Sequence, residues 1–433
     1  MRILVISRTA WKQDNSFGNT YNNIFGKMKD ISIANIYLAD GFPDINNPNV
    51  VSYYQVSEKK IIYSGLSSKK HKVGTRIEQL EALDTDKKSE ETYDKTILRM
   101  KKNRWSGFFL AREIAWRIGN MDWGGLLAFV KEFNPDIIFL PFYYAAYVDR
   151  VALFIHKELD IPIVLEASLD IYSLRQLSFD PVFWINRGLI RRYVRKTANA
   201  SEKLYVISDK MKRDYERYLN IDCGVLYKFP TLERKLSDYK LKKERFQFLF
   251  TGNIGSGRWK TLSHLGNAIF EAQIGELVIY TPTPLSKKMK KYLKQCVVNP
   301  PVSAEEVIKL QNNADVLVHA ESFALKDKLE VRYSISTKVM DYISTERCIF
   351  AVGPEDVASI SYLKSHDLAI IATSEAMIRT AINEIKDNPH IISHYAQNAN
   401  LYMRKLTSGA PQQDELRADL ERIIANYEKK RKE

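Results

Sequence analysis

Residues 246–269 read FQFLFTGNIGSGRWKTLSHLGNAI, and this stretch decides the fold. Phe246–Phe250 is a short apolar run of the kind that a strand buried on both faces of a parallel sheet requires. Gly252, Gly255 and Gly257 follow at once, and a helical stretch begins directly after them. Strand, glycine turn and helix in that order make one βα step. Glycines at such a turn let the backbone approach a phosphate, and the helix N-terminus behind them favours negative charge. Arg258 and Lys260 add positive charge at the same point. The spacing is neither GxGxxG nor GxxxxGK[ST], so this is not a dinucleotide fingerprint or a Walker loop.

The same alternation extends in both directions. Downstream, strands are expected at Glu276–Tyr280, Asp315–His319, Ile349–Val352 and Leu368–Ile371, with helices at Ile392–Leu406 and Asp414–Lys430. Upstream, strands fit Ile3–Ile6, Ile31–Leu38, Ile137–Leu140, Ile163–Leu165 and Lys203–Ile207, beside apolar stretches at Val50–Val56 and Ile61–Tyr63. Helices fit Phe108–Ile118, Leu126–Phe133, Val151–Leu159 and Phe183–Ala198, and Asp14–Asn19 reads as a loop. Pro230 and a charge run break the pattern near Phe229–Arg245, and Ser64–Lys102 reads as a charged insertion, part helical and part mobile. The expectation is an α/β protein with two Rossmann-like, doubly wound parallel-sheet domains facing a cleft. Its domains would be 1–230, with the insertion at about 64–102, and 231–395. Terminal helices at 396–433 would pack back toward the first. A chain of 433 residues exceeds one ordinary core, at roughly 100–200 residues per domain.

Composition narrows the partners. Lys and Arg exceed Asp and Glu to give a net charge of +13, which points to an anionic partner: nucleic acid, a phosphorylated small molecule or an anionic membrane surface. Aromatics at 11%, with 24 Tyr, suit stacking on ring-shaped ligands and filling large interfaces equally well. Cys223, Cys296 and Cys348 are far apart and odd in number, which argues against a disulfide framework and for a reducing cytosol. The N-terminus lacks a signal-peptide pattern, and no run of about 18 apolar residues predicts a membrane span.

Further motifs stand where strands end. In YSISTKVMDY (333–342), Ser336 and Thr337 are N-cap types, and Lys338 and Asp341 fall one turn apart on one helix face. A lysine at a helix N-terminus suits a diphosphate, and a carboxylate one turn on suits ribose hydroxyls. His319-Ala-Glu321-Ser322 puts an acid at a strand end, and Glu166 and Asp170 stand just beyond another. Pro141–Tyr147 contributes aromatics, followed by Asp149 and Arg150. The seven histidines show no metal spacing, and Asp84-Thr85-Asp86, a DxD look-alike, sits inside the insertion and not after a strand. No metal site is expected. The segment 186–196 carries Arg187, Arg191, Arg192, Arg195 and Lys196 among apolar residues. Upstream, Lys101, Lys102, Arg104 and Trp105 precede Phe108, Phe109, Arg112, Trp116 and Arg117. Such mixtures suit an anionic membrane surface, RNA or an ordinary solvated helix face.

Taken together, TGNIGSGRWKTL, the stretch from His319 to Leu363, and the stretch from Asn134 to Asn186 resemble a bacterial GT-B-fold glycosyltransferase of the family-4-like group that builds capsular or other surface polysaccharides. The resemblance covers nearly the whole chain outside the insertion. It implies transfer of a sugar from a nucleotide-diphosphate sugar to a hydroxyl acceptor, an oligosaccharide or lipid-linked oligosaccharide, with retention at the anomeric carbon and no cofactor. It implies a cytoplasmic protein, peripheral on the inner face of the membrane, with no nucleic-acid partner. Residue by residue, it implies that Arg258 contacts the donor diphosphate with Lys338 as a second cation, and that Asp341 binds the ribose. Amides around Gly255 and Ser336–Thr337 would cradle the phosphates, beside Gly252, Asn253 and Lys260. Asp170 would lie near the acceptor or donor sugar, and Glu321 would be a third catalytic candidate with Arg258 and Asp170. The sequence departs from the family where Tyr333 stands eight residues before Asp341 in place of Glu, where Lys260 matches only loosely, and where no His lies near Glu166–Asp170. Two other readings remain open: a sugar-nucleotide epimerase of the same architecture, and a non-catalytic partner subunit.

Overall fold

The computed structural model describes residues 1–13, 15–26, 28–66, 71–77, 106–227, 245–408 and 412–433. The chain divides into two compact units, 1–174 with 178–227 and 412–433, and 175–177 with 228–411.

In the first unit the apolar runs become strands β1 (Arg2–Ser7), β2 (Ser32–Tyr37), β3 (Val50–Gln55), β4 (Thr75–Ile77), β5 (Ile137–Pro141), β6 (Ile163–Ala167), β7 (Ser201–Val206) and β8 (Cys223–Val225). They form one sheet in the order β4-β3-β2-β1-β5-β6-β7-β8. Pairing is parallel except for β4, which runs antiparallel to β3. The central strands β5 and β6 are buried along their whole length, apolar except for Glu166 in β6, as strands covered by helices on both faces are. The connecting helices are α1 (Ser16–Phe25), α2 (Glu58–Leu66), α3 (Ser106–Ile118), α4 (Trp123–Phe133), α5 (Ala146–Leu159), α6 (Pro181–Asn199) and α7 (Asp209–Leu219).

The second unit repeats the scheme with β9 (Phe246–Thr251), β10 (Gly275–Tyr280), β11 (Cys296–Asn299), β12 (Val316–Ala320), β13 (Cys348–Val352) and β14 (Ile370–Ala372), all parallel, in the order β11-β10-β9-β12-β13-β14. Its helices are α8 (Arg258–Ala272), α9 (Lys287–Tyr292), α10 (Ala304–Asn313), α11 (Leu325–Val331), α12 (Thr337–Ile343), α13 (Ala358–Ser365), α14 (Glu375–Asp387) and α15 (His390–Ser408). The strand order reverses between β9 and β12, and open α/β sheets bind ligands outside the strand ends at such a switch. The last helix, α16 (Gln412–Lys432), belongs to the first unit, where Asp419 accepts from Lys203 Nζ at 2.7 Å and from the Tyr205 hydroxyl at 2.9 Å. The terminal segment from 396 is thus divided between the units at 411/412, not assigned whole to the first.

Several elements differ from the sequence reading. Ile61–Tyr63 lies inside a helix, and the insertion contains an antiparallel edge strand, β4, at its described start. Residues 67–70 and 78–105, with Asp84-Thr85-Asp86 and Lys101–Trp105, and the linker at 228–244 lie outside the described residues. Asp14–Asn19 is not all loop: the Asn15 side chain accepts from Gly18 N at 2.8 Å and starts α1 at Ser16. Helix α5 starts at Ala146, five residues earlier than its periodicity suggests, because the Glu113 carboxylate accepts from the amides of Ala146 (3.1 Å) and Tyr147 (3.2 Å). That cap comes from another helix, so no local pattern announces it. Strands β8 and β11, of three and four residues, are too short to show periodicity.

Candidate functional site

The strand-end turn of the second unit is built on three residues with positive φ: Gly252 (+120°), Ser256 (+49°) and Gly257 (+73°). Gly252 is required for its conformation, and a side chain there would also displace the Lys338 ammonium. A Cβ there would stand 2.2 Å from Lys338 Nζ, so the lysine of α12 lies across the glycine gap at the end of β9. A Cβ on Gly257 would meet Ser322 Oγ at 2.2 Å and Asp327 Oδ2 at 2.3 Å. Gly257 occupies the N-cap of α8 without a side-chain cap, so Arg258 and Lys260 stand in that helix's first turn.

Arg258 and Glu321 meet there. Arg258 Nε donates to Glu321 Oε2 at 3.0 Å and Nη2 to Oε1 at 3.2 Å, a bidentate pair. These bonds use one edge of the guanidinium and leave Nη1 outside them. Burial pushes the Glu321 carboxyl above its ordinary value, opposed by Arg258 and then Lys338. Burial likewise brings Lys338 down to about 8, with Arg258 adding to the fall and Glu321 and Asp341 opposing it. The ammonium stands 4.9 Å from the centroid of the Phe250 ring. His319 is buried, its Nε2 lies 2.9 Å from Ser359 Oγ, and burial followed by the charges of Lys338 and Arg258 holds it down at about 3. The same Nε2 lies 3.8 Å from Glu321 Oε1.

The structure therefore brings Gly252, Arg258, Glu321, Lys338 and Asp341 into one electrostatic cluster. Lys260 is exposed and turns to the Trp259 ring, 5.6 Å from its centroid. Asn253 organises the turn, accepting from Gly255 N at 2.6 Å and from the Thr283 hydroxyl at 2.9 Å. The Gly255 amide is thus engaged within the loop. Ser336 holds the N-cap position of α12 without a side-chain cap bond, and Thr337 is exposed. The pairing of Ser322 with Asp327 (2.9 Å) that packs against Gly257 was not read from the sequence, because four intervening residues and a turn separate the two.

In the first unit, Asp170 is buried. It accepts from Ser173 N at 2.9 Å, the Tyr215 hydroxyl at 3.2 Å and Arg187 Nη2 at 3.4 Å, and also from the Ser173 hydroxyl. Glu166, also buried, accepts from the Tyr21 hydroxyl at 2.7 Å and from Ser168 Oγ, and burial raises its pKa. Asp149 and Arg150, read as following a strand end, lie within α5. Asp149 accepts from Thr197 Oγ1 of α6 at 3.0 Å, and burial lifts it to about 8. Arg150 donates to the Trp116 carbonyl. Arg187, read as part of a basic face, is buried against Asp170 and the Ser173 carbonyl. One residue absent from the sequence reading is Arg8, directly after β1. Burial works against its charge, but Tyr147 and Glu58 outweigh it and raise its pKa. Its position directly after the first apolar run was the available signal.

Among the described residues no group of three His, Cys, Asp or Glu is placed to hold a metal ion, and no helix is long and apolar enough to cross a membrane. No family model and no curated protein matches the chain in sequence. Solved structures do match. A UDP-forming alpha,alpha-trehalose-phosphate synthase from Burkholderia xenovorans, in complex with glucose-6-phosphate, matches over 97% of this chain and 100% of its own, with a TM-score of 0.57 at 10% identity. An E. coli trehalose-6-phosphate structure bound with UDP-2-fluoro glucose matches over 97% and 99%, with a TM-score of 0.59 at 9% identity. TarM matches over 68% of this chain, which spans 57% of TarM, with a TM-score of 0.52 at 9% identity. The shared architecture is the GT-B fold of two Rossmann-like halves.

Proposed function

We propose that the protein is a glycosyltransferase that moves a sugar from a nucleotide-diphosphate sugar to a hydroxyl acceptor. The observation that carries this reading is the seating of the Lys338 ammonium in the Gly252 gap, beside Arg258 clamped by Glu321. When the glycosidic bond to a nucleoside diphosphate breaks, negative charge develops on the phosphates, and cations fixed in advance stabilise it without reorganising. Arg258 would offer Nη1, Lys338 its ammonium, and Glu321 would hold the guanidinium plane still. Asp341, one turn after Lys338, would take the ribose hydroxyls. These two cations can supply the counter-charge without a metal ion.

The fold neighbours bound with UDP-2-fluoro glucose and with glucose-6-phosphate support a sugar-nucleotide donor and a sugar acceptor for this architecture. The finer assignment rests on the family resemblance: a retaining enzyme of bacterial surface-polysaccharide synthesis, acting on a lipid-linked oligosaccharide at the inner face of the membrane. In the first unit, Asp170 would then shape the acceptor loop from below and not touch the sugar.

The test is a thermal-shift screen against UDP-, GDP-, dTDP- and CMP-sugars. A ligand at a hundredfold excess over its Kd stabilises the folded protein by about 2.7 kcal/mol. A shift with one nucleotide names the donor; no shift with any of them removes the donor site and the proposal with it.

A further inference from the structure

Helix α6 carries a second cationic centre that the donor site does not use. Arg191, Arg192, Arg195 and Lys196 line a cavity of about 390 Å³ together with Tyr172 and Asn199. All belong to the first unit, and the cavity lies between α6 and the loop that follows β6. Two of the cations are held in place. Arg191 donates to the Tyr172 carbonyl and lies 4.1 Å from the centroid of its ring, and Arg195 donates to the Tyr172 hydroxyl. Tyr172 is itself buried, propped by Tyr215 and Tyr218 of α7 at ring separations of 6.3 and 6.1 Å. Arg192 and Lys196 are exposed on the same face. Among the described residues, none of the four cations is paired with a carboxylate, and no carboxylate lines the cavity. Gly188 opens its rim, where an added Cβ would meet nothing within 4 Å.

Four like charges within six residues repel one another, and among the described residues no carboxylate neutralises them. Rigid guanidinium forks fixed on an aromatic ring are suited to bind phosphoryl oxygens. We propose that this cavity is a binding site for a phosphoryl anion, a phosphomonoester or diphosphate group, separate from the donor site. The group reaches it either on a lipid headgroup or on a soluble ligand.

The experiment measures binding of inorganic pyrophosphate to the full chain by calorimetry at low ionic strength. It also measures co-sedimentation with phosphatidylcholine vesicles with and without phosphatidylglycerol. The Arg258→Ala, Lys338→Met background removes both competing cations of the glycine turn. Arg192→Glu with Lys196→Glu should weaken pyrophosphate binding at least about tenfold, as loss of charge-assisted hydrogen bonds requires. Gly188→Asp, which adds a carboxylate without deleting a cation, should do the same, and Arg192→Lys should retain most of the affinity. The melting temperature of the charge-reversal variant without ligand should equal or exceed the parent's, because repulsion is relieved. Loss of both pyrophosphate and phosphatidylglycerol binding assigns the site to a lipid headgroup; loss of pyrophosphate binding alone, with no vesicle binding in the parent, assigns it to a soluble ligand. Pyrophosphate binding unchanged by these substitutions overturns the proposal. So does vesicle binding without any pyrophosphate binding, which would reveal only a diffuse charged surface.

Discussion

The strand ends of the two units carry similar residues and use them differently. At the end of β6, the carboxylates of Glu166, inside the strand, and Asp170, just beyond it, are buried and occupied by Tyr21, Ser168, Ser173, Tyr215 and Arg187, so their charge holds the strand end and its loop in shape. Beyond β9 and β12, Arg258 is clamped along one edge only, and Lys338 faces a glycine gap. A strand-end charge therefore signals a ligand only when the fold leaves part of it unspent. The strand-end acids looked equivalent in the sequence; all are buried, and it is their partners that separate them.

The comparison breaks most sharply on Asp170. Asp170→Ala should cost about 3–5 kcal/mol of stability, because it strips the carboxylate from a buried Arg187. Urea unfolding would measure this, and donor affinity in the surviving folded protein should be unchanged. A normal midpoint, or a donor defect without a stability loss, would place Asp170 among the ligand-binding residues.

Arg258→Ala should do the reverse. Transfer should fall by about 10²–10³-fold, the usual loss for one preorganised donor to developing charge. The fold should survive, because Glu321, whose pKa burial already raises, can take up a proton once its partner is gone. Circular dichroism and a steady-state assay with the donor found by thermal shift would separate the two effects. Near-normal transfer would remove the diphosphate role.

The smallest effect sharpens the contrast. Lys338 carries its charge below about 8 and loses it as pH rises through that value. Donor affinity should therefore weaken between pH 7 and 9, by up to about tenfold if only the charged form binds, since each pH unit beyond the pKa is a tenfold change in the charged fraction. Lys338→Met should bind more weakly at pH 7 and lose this dependence.

Much of this protein is determined by sequence alone. The apolar runs and their glycine and proline punctuation specify two β/α repeats, because a strand buried on both faces must be predominantly apolar. The glycine turn with Arg258, and the Lys338–Asp341 pair, were legible because a backbone that must approach something closely needs Gly, and residues three apart share a helix face. What only the tertiary structure decided are the relations between distant residues. Glu321 stands 63 positions from Arg258, Glu113 caps a helix 33 positions away, and Arg187 reaches back 17 positions to Asp170. No local periodicity records such pairings. They depend on which strand ends and helix faces the sheet order makes neighbours, and on how far burial raises the cost of leaving a charge unpaired.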